Sequence, residues 1–187
     1  MQILKSIDDA SASGKTKQIF EGLHKALGVV PNMTRAMANS PAALDAYVRF
    51  DAALAAGTLP RKTHEQIAIA VAEANACDYC LSAHTVLGGL AGLTPDDLNL
   101  AHAGQAADAK TNAALQFALK IVKSRGRVAP ADVQAVHAAG YTDGEVAEIV
   151  GAVALNIFTN YFNNVAGTDI DFPVVRSTQS ASSPSSF

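Results

Sequence analysis

The chain has 187 residues, 49% hydrophobic and 17% charged, with 17 acidic against 14 basic side chains for a formal charge of −3. That length fits one domain with a core of its own, and the balance excludes a disordered chain. It gives no electrostatic reason to bind nucleic acid or an anionic membrane, and no apolar run approaches the ~20 residues of a bilayer span.

The first twenty residues, MQILKSIDDASASGKTKQIF, carry acidic side chains early and lack the ~7–15-residue apolar core of an export signal. We therefore expect a reducing, cytoplasmic setting, in which two cysteines do not make a disulfide scaffold. Alanine is abundant, Trp is absent and nothing alternates like a strand, so the expected class is all-α. A first helix covers 14–27. The Gly14-Lys15-Thr16 run inside it lacks the earlier glycine and the preceding strand of a phosphate-binding loop, and reads as a helix start. GVVPNMTRAMANSP (28–41) predicts a short helix between two prolines.

Ser40-Pro41 then opens a helix as N-cap and first helical residue, ending near Gly57. Leu59-Pro60 introduces RKTHEQIAIAVAEANA, with an apolar face through Ile67, Val71 and Ala74, followed by CDYCLSAHTVLGGLAG. Thr94-Pro95 starts another helix, a long amphipathic piece spans 109–125, and APADVQAVHAAG is shorter. Thr142 and Glu145 have capping-box spacing and begin a helix running to about Val165. GLTPDDL and GYTDGEV resemble each other as helix starts, a weak sign of duplication. A single domain is expected over 1–173, followed by a Ser-rich, flexible tail over 174–187.

Chemistry concentrates in EANACDYCLSAHT, 73–85, which holds the only two cysteines of the chain. If a helix begins near Cys77, then Cys77, Cys80 and His84 (i, i+3, i+7) fall within a ~60° arc of one face. A thiol at a helix start is favoured as thiolate by unpaired N–H groups, and a histidine one turn on can accept a proton or supply positive charge. Three readings compete: a zinc site, an inert buried pair and a redox dithiol. Zinc lacks a fourth ligand unless His64, His102 or His137 supplies it. Free cysteine is commonly buried, but the coincidence of a C-x-x-C with a matched histidine favours the dithiol. A thioredoxin-like protein needs a βαβ pattern that this chain does not offer.

The segment HEQIAIAVAEANACDYCLSAHTVLGGLAGLTPDDL resembles the carboxymuconolactone decarboxylase family in its AhpD-like alkylhydroperoxidase branch: a Glu twelve residues before the first Cys, then C-x-x-C, then His. VVPNMTRAMANSPAALDAY and NIFTNYFNNVAGTDIDFP resemble the longer, peroxidase-related members. The resemblance implies an AhpD-like helical fold with the C-x-x-C at a helix N-terminus, and a hydroperoxide reductase that needs no metal or other cofactor. It implies that Cys80 attacks the peroxide, Cys77 resolves the sulfenic acid as a disulfide, and Glu65 and His84 relay protons. It also implies a thiol electron donor, lipoyl-bearing or thioredoxin-like, and a homo-oligomer, trimer or hexamer. A lyase of the decarboxylase type and a slow thiol–disulfide exchange or redox-sensing module are the alternatives.

The local reading and the resemblance differ twice. Helix-end electrostatics favour Cys77 as the more acidic thiol, whereas the resemblance nominates Cys80. A continuous helix would put Glu73 on the cysteine face and turn Glu65 ~120° away; the resemblance bends the chain and returns Glu65. Glu65 is preferred, with Glu73 a helix-end or subunit-contact charge. Tyr79 stands where some peroxidatic members have histidine; with a pKa near ~10 it is a poorer proton shuttle, and packing is its expected role. His64 is a further relay candidate. His24, His102 and His137 are expected to serve surface or packing roles. The amide-rich run with Asn156, Asn160, Asn163 and Asn164 is read as a buried polar network or subunit contact.

Overall fold

A computed structural model describes residues 2–179 of the chain, and among them every regular element is a helix. They are α1 Gly14–Leu27, α2 Asn32–Met37, α3 Pro41–Ala55, α4 Arg61–Ala74, α5 Asp78–Leu90, α6 Pro95–His102, α7 Ala109–Ser124, α8 Pro130–Ala138 and α9 Asp143–Ala166. Punctuation explains most boundaries. Ser40 Oγ accepts from Ala43 N at 3.2 Å with Pro41 at the first helical position. Thr94 with Asp97, and Thr142 with Glu145, close reciprocal capping boxes on α6 and α9.

α4 is the axis of the molecule and packs against α5, α6, α7 and α9. The expected one-sided face is too narrow a description: α4 is buried on all sides from Glu65 to Glu73, while Ala74 is exposed. Alanines at 68, 70 and 72 let neighbouring backbones approach wherever Ile67, Ile69 and Val71 do not fill the space. With Met37, Leu44, Leu81, Leu115, Ile149 and Val153, the α4 residues Ile67, Ile69, Ala70, Val71 and Ala72 form one continuous core. Truncating one of its large aliphatic side chains to alanine costs about 2–5 kcal/mol.

Two loops set the register of the site. Glu148 of α9 accepts from Thr58 N and Leu59 N, each at 2.9 Å, which fixes the start of α4. A Cβ on Gly57 would meet the Glu148 carboxyl carbon at 2.7 Å, so a side chain there would push that carboxylate off the Thr58 and Leu59 amides. At the other end α4 stops at Asn75, and Ala76 takes a left-handed conformation at φ 50°. Cys77 N then bonds Ala72 O at 3.0 Å and Ala76 N bonds Glu73 O at 3.1 Å, a helix stop made without glycine. The left-handed alanine costs about 1–2 kcal/mol, which the packing of α4 on α5 must offset.

The first residues of the Ser-rich, flexible tail expected from 174 onward are held in place. Residues 174–179 are tied down where they cross the α4–α5 junction: Val175 N donates to Ser82 Oγ at 2.9 Å, Ser177 N to Asp78 Oδ1 at 2.8 Å and Thr178 N to Glu73 Oε1 at 2.8 Å. Arg176 pairs with Asp78 at 2.8 Å, and Ser177 is 2% exposed. The rest of the expected tail, 180–187, lies outside the described residues. No helix among the described residues is long and apolar enough to cross a membrane.

Candidate active site

The turn at Ala76 sets α5 beside α4, so side chains from two helices meet. Cys77 is the N-cap of α5, and its Sγ accepts from Cys80 N at 3.3 Å. Cys80 lies in the first turn, and His84 one turn further on the same face. From α4, Glu65 reaches back to His84: Oε2 lies 2.8 Å from His84 Nδ1, and Oε1 accepts from Arg61 Nε at 2.8 Å. The bend places Glu65 with the dithiol. Glu73 instead faces the other way, holding Ser177 and Thr178 and standing 3.9 Å from His102.

Both cysteines are free thiols, Cys77 fully buried and Cys80 3% exposed. Their environments differ in kind. A cavity of about 550 Å³ is bounded by α1, α2, α3, α4, α5 and α9, and Cys80, His84, Glu65 and Arg61 lie on its wall. Cys77 does not line it. The remaining wall is mostly apolar, with Leu23, Val48, Leu54, Leu87 and Leu155 among its side chains.

Electrostatics separate the two sulfurs as well. Burial pushes the Cys80 thiol up, but the Cys77 S–H, the positive field of His84 and the amides of Asn160 and Asn163 outweigh it and bring the group from 9.0 down to about 7. Cys77 moves the opposite way, held as the protonated partner by its hydrogen bond to Cys80, by burial and by the Cys80 charge. The helix-end argument for Cys77 therefore loses to local contacts. Burial alone would lower His84, yet its hydrogen bond to Glu65 and the charges of Glu65 and Cys80 raise it above 6.5. Burial alone would raise Glu65, yet His84 and Arg61 hold it below 4.5. These shifts favour an imidazolium and a carboxylate beside a thiolate, a set able to attack an electrophile and protonate what leaves.

The other candidates take different places. Tyr79 is on the cavity wall, but its hydroxyl accepts from Met33 N at 3.1 Å and its ring meets Phe172 edge-on at 5.8 Å. Burial drives its pKa up, so it packs rather than shuttles protons. His64 also lines the cavity, half-buried; its Nε2 is buried without a hydrogen-bond partner among the described residues, and burial lowers its pKa. His102 Nε2 lies 3.2 Å from Thr85 Oγ1, and His137 pairs with Asp143 at 3.0 Å, both away from the thiols. Among the described residues no group of three or more His, Cys, Asp or Glu side chains converges to hold a metal ion.

Sequence reasoning passes over several participants. Arg61 is signalled by its i, i+4 spacing to Glu65. Asp51 and Tyr47 of α3 line the cavity, and nothing local in the sequence marks them. Asn163 is expected only as one member of an amide network, whereas its Nδ2 donates to Cys80 Sγ at 3.2 Å.

Residues 41–124, the stretch from the start of α3 to the end of α7, match the carboxymuconolactone decarboxylase family. No curated protein matches the sequence. Among solved structures, an uncharacterized peroxidase-related protein from Ralstonia eutropha, described as an alkylhydroperoxidase AhpD core, is 26% identical with a TM-score of 0.83 over 89% of this chain and 90% of its own. A second uncharacterized peroxidase-related protein, from a Silicibacter species, is 24% identical with a TM-score of 0.77 over 90% of this chain and 94% of its own. The debrominase Bmp8 shares the fold at 20% identity, with a TM-score of 0.73 over 90% of this chain and 92% of its own.

Proposed function

On the premise that residues 41–124 belong to the carboxymuconolactone decarboxylase family, within a chain of AhpD-like fold, we propose that the protein is a thiol-dependent reductase of organic hydroperoxides. The observation that carries this reading is the division of labour between the sulfurs. Cys80, the more acidic thiol, opens on an apolar cavity, while Cys77, held protonated, lies behind it.

The chemistry then runs in three balanced steps. The Cys80 thiolate attacks one peroxide oxygen, the O–O bond breaks, and the departing alkoxide takes a proton from His84, giving an alcohol and a Cys80 sulfenic acid. The Cys77 sulfur attacks that sulfenic sulfur; hydroxide leaves with the Cys77 proton as water, and a disulfide forms. An external dithiol reduces the disulfide by exchange through a mixed disulfide and is itself oxidised. Glu65 keeps the His84 ring oriented and charged, and Arg61 holds the second carboxylate oxygen.

The apolar wall favours a hydroperoxide with an alkyl or aryl group over hydrogen peroxide. Both sulfurs are buried, so a slender dithiol arm of the lipoyl kind, entering by the cavity, suits regeneration better than a flat thioredoxin-like surface. The same burial counts against a general thiol-exchange module, which needs a sulfur at the surface. A cytoplasmic homo-oligomer serving antioxidant defence completes the proposal. Thiol-dependent consumption of an organic hydroperoxide tests it: the reading expects turnover that Cys80→Ser abolishes, and unchanged turnover in that variant overturns it.

A further inference from the structure

α9 lies beyond the family-matched segment 41–124, yet it is the helix that touches the reactive sulfur. Asparagine is a poor interior helix residue, and a buried amide that lacks partners costs free energy. α9 nonetheless buries Asn156, Asn160 and Asn163 together. Asn156 Nδ2 is occupied within its own helix by Ala152 O at 2.9 Å. Asn160 and Asn163, three apart and 0% and 3% exposed, are not.

Their orientation is set from outside the helix. Asn75 Nδ2 donates to Asn160 Oδ1 at 2.9 Å, so the Asn160 oxygen is the accepting end and its NH₂ is turned away from Asn75. That NH₂ is buried and closes no hydrogen bond among the described residues, yet it bears on Cys80 by lowering its pKa. Asn163 Nδ2 already donates to Cys80 Sγ at 3.2 Å. Asn163 thus has its donor seated on the sulfur, and Asn160, one turn back on the same buried face, holds a donor with no partner among the described residues. An uncharged thiol is a weak acceptor, whereas a thiolate accepts strongly enough to satisfy both.

The geometry points to Asn160 and Asn163 as a two-donor amide cradle for the Cys80 thiolate, with Asn163 in direct contact with the reacting sulfur and Asn75 acting through Asn160 to aim its amide. This assignment rests on Cys80 being the attacking thiol of the proposed reductase. The alternative role for these amides is mechanical, and the structure separates the two: Asn164 Nδ2 donates to Asn75 O at 3.1 Å and clamps the turn without touching the sulfur. The titratable groups facing Cys80 are Cys77, Tyr79 and His84 on α5, Glu65 on α4 behind His84, and Tyr47 and Asp51 on α3. None is altered by changing an asparagine of α9.

The test is the rate of Cys80 alkylation by iodoacetamide across pH, on the full reduced chain, with the site located by peptide mass spectrometry. In the unmodified chain the rate rises through about pH 7. Loss of one charge-assisted donor lowers the thiol's acid constant about tenfold, so N163A lowers the thiolate fraction at pH 7 about fivefold. N163D, nearly the same shape with a negative group in place of the donor, lowers it further. N160A lowers it less, and N164A leaves it unchanged. Should N163A fail to fold, N163D and N160A read the same donors. Profiles of N163A and N163D that coincide with the unmodified chain overturn the cradle, as does N164A moving the profile as far as N163A. The readout needs no peroxide: a chain that consumes none but shows these shifts keeps the cradle and loses the reductase reading.

Discussion

His84 Nδ1 stands 2.8 Å from Glu65 Oε2, on a carboxylate whose other oxygen is 2.8 Å from Arg61 Nε. Glu65 is 4% exposed, so almost none of its hydrogen bonding goes to water. One oxygen orients the imidazole and the other is anchored to the guanidinium, which leaves the ring little freedom to turn. His84 Nε2 is then the nitrogen available to a leaving group. In Glu65→Gln the shape survives but the charge that sustains the imidazolium is lost. We expect the peroxide-reduction step, followed in a single turnover, to slow about 10²-fold. A change of less than about twofold would remove Glu65 from the relay.

The same pair gives stability a pH window. Glu65 lies below its ordinary 4.5, so its contribution is present above that pH and is lost as pH falls through its lowered value. His84 lies above its ordinary 6.5, so its contribution is present below that pH and is lost as pH rises through its raised value. Both are fully in force only between 4.5 and 6.5. A double-mutant cycle of E65Q and H84N, read by urea unfolding, is expected to show a coupling of about 1–3 kcal/mol inside that window, declining on either side.

How far the sequence carried depends on what kind of signal a residue sends. Ser40, Thr94 and Thr142 cap helices through bonds three residues long, so the elements were legible where prolines, glycines and caps punctuate the chain. The all-round burial of α4 was not, because periodicity reports one face and α4 is covered by four helices. The bend that separates Glu65 from Glu73 rests on a left-handed Ala76, which looks like any helical alanine in sequence. The family resemblance supplied that bend; helical phase alone would have chosen Glu73. Asn163 touches Cys80 across 83 residues, and Thr178 touches Glu73 across 105, and no local pattern encodes either.

Glu73 illustrates the consequence for the C-terminal strap. Its Oε1 accepts from Thr178 N, Thr178 Oγ1 and Ser177 Oγ, and few of these bonds would be replaced by water in a site this buried. Glu73→Ala is expected to lower unfolding free energy by about 2 kcal/mol and to release residues 174–179 to faster amide exchange. Because the strap lies across the outer side of the junction, the pH profile of Cys80 alkylation should stay where it is. A moved profile would instead tie Glu73 to the thiol.

Val48 of α3 is half-buried on the apolar wall of the cavity. Val48→Trp adds bulk to that wall and leaves Cys80, His84 and Glu65 themselves unchanged. If the cavity selects the organic group of a hydroperoxide, the ratio of kcat/KM for a bulky aryl hydroperoxide to that for hydrogen peroxide falls about tenfold. An unchanged ratio would mean that substrates reach Cys80 by another route.

In the proposed cycle Cys77 carries two duties, and two substitutions separate them. As the second thiol it would close the disulfide; as an S–H donor it helps hold the Cys80 thiol near 7. Cys77→Ser keeps a hydroxyl donor but cannot form a disulfide, whereas Cys77→Ala keeps neither function. Both variants are expected to stop after one turnover, with a Cys80 sulfenic acid that a dimedone adduct reveals by mass spectrometry. Their Cys80 alkylation profiles should differ: C77S stays near the original midpoint, and C77A moves to higher pH because burial of the thiolate is less well offset. Sustained turnover in either variant would show that Cys77 is not the resolving thiol. Coincident profiles would show that its hydrogen bond does not tune Cys80, leaving His84 and the α9 amides to do so.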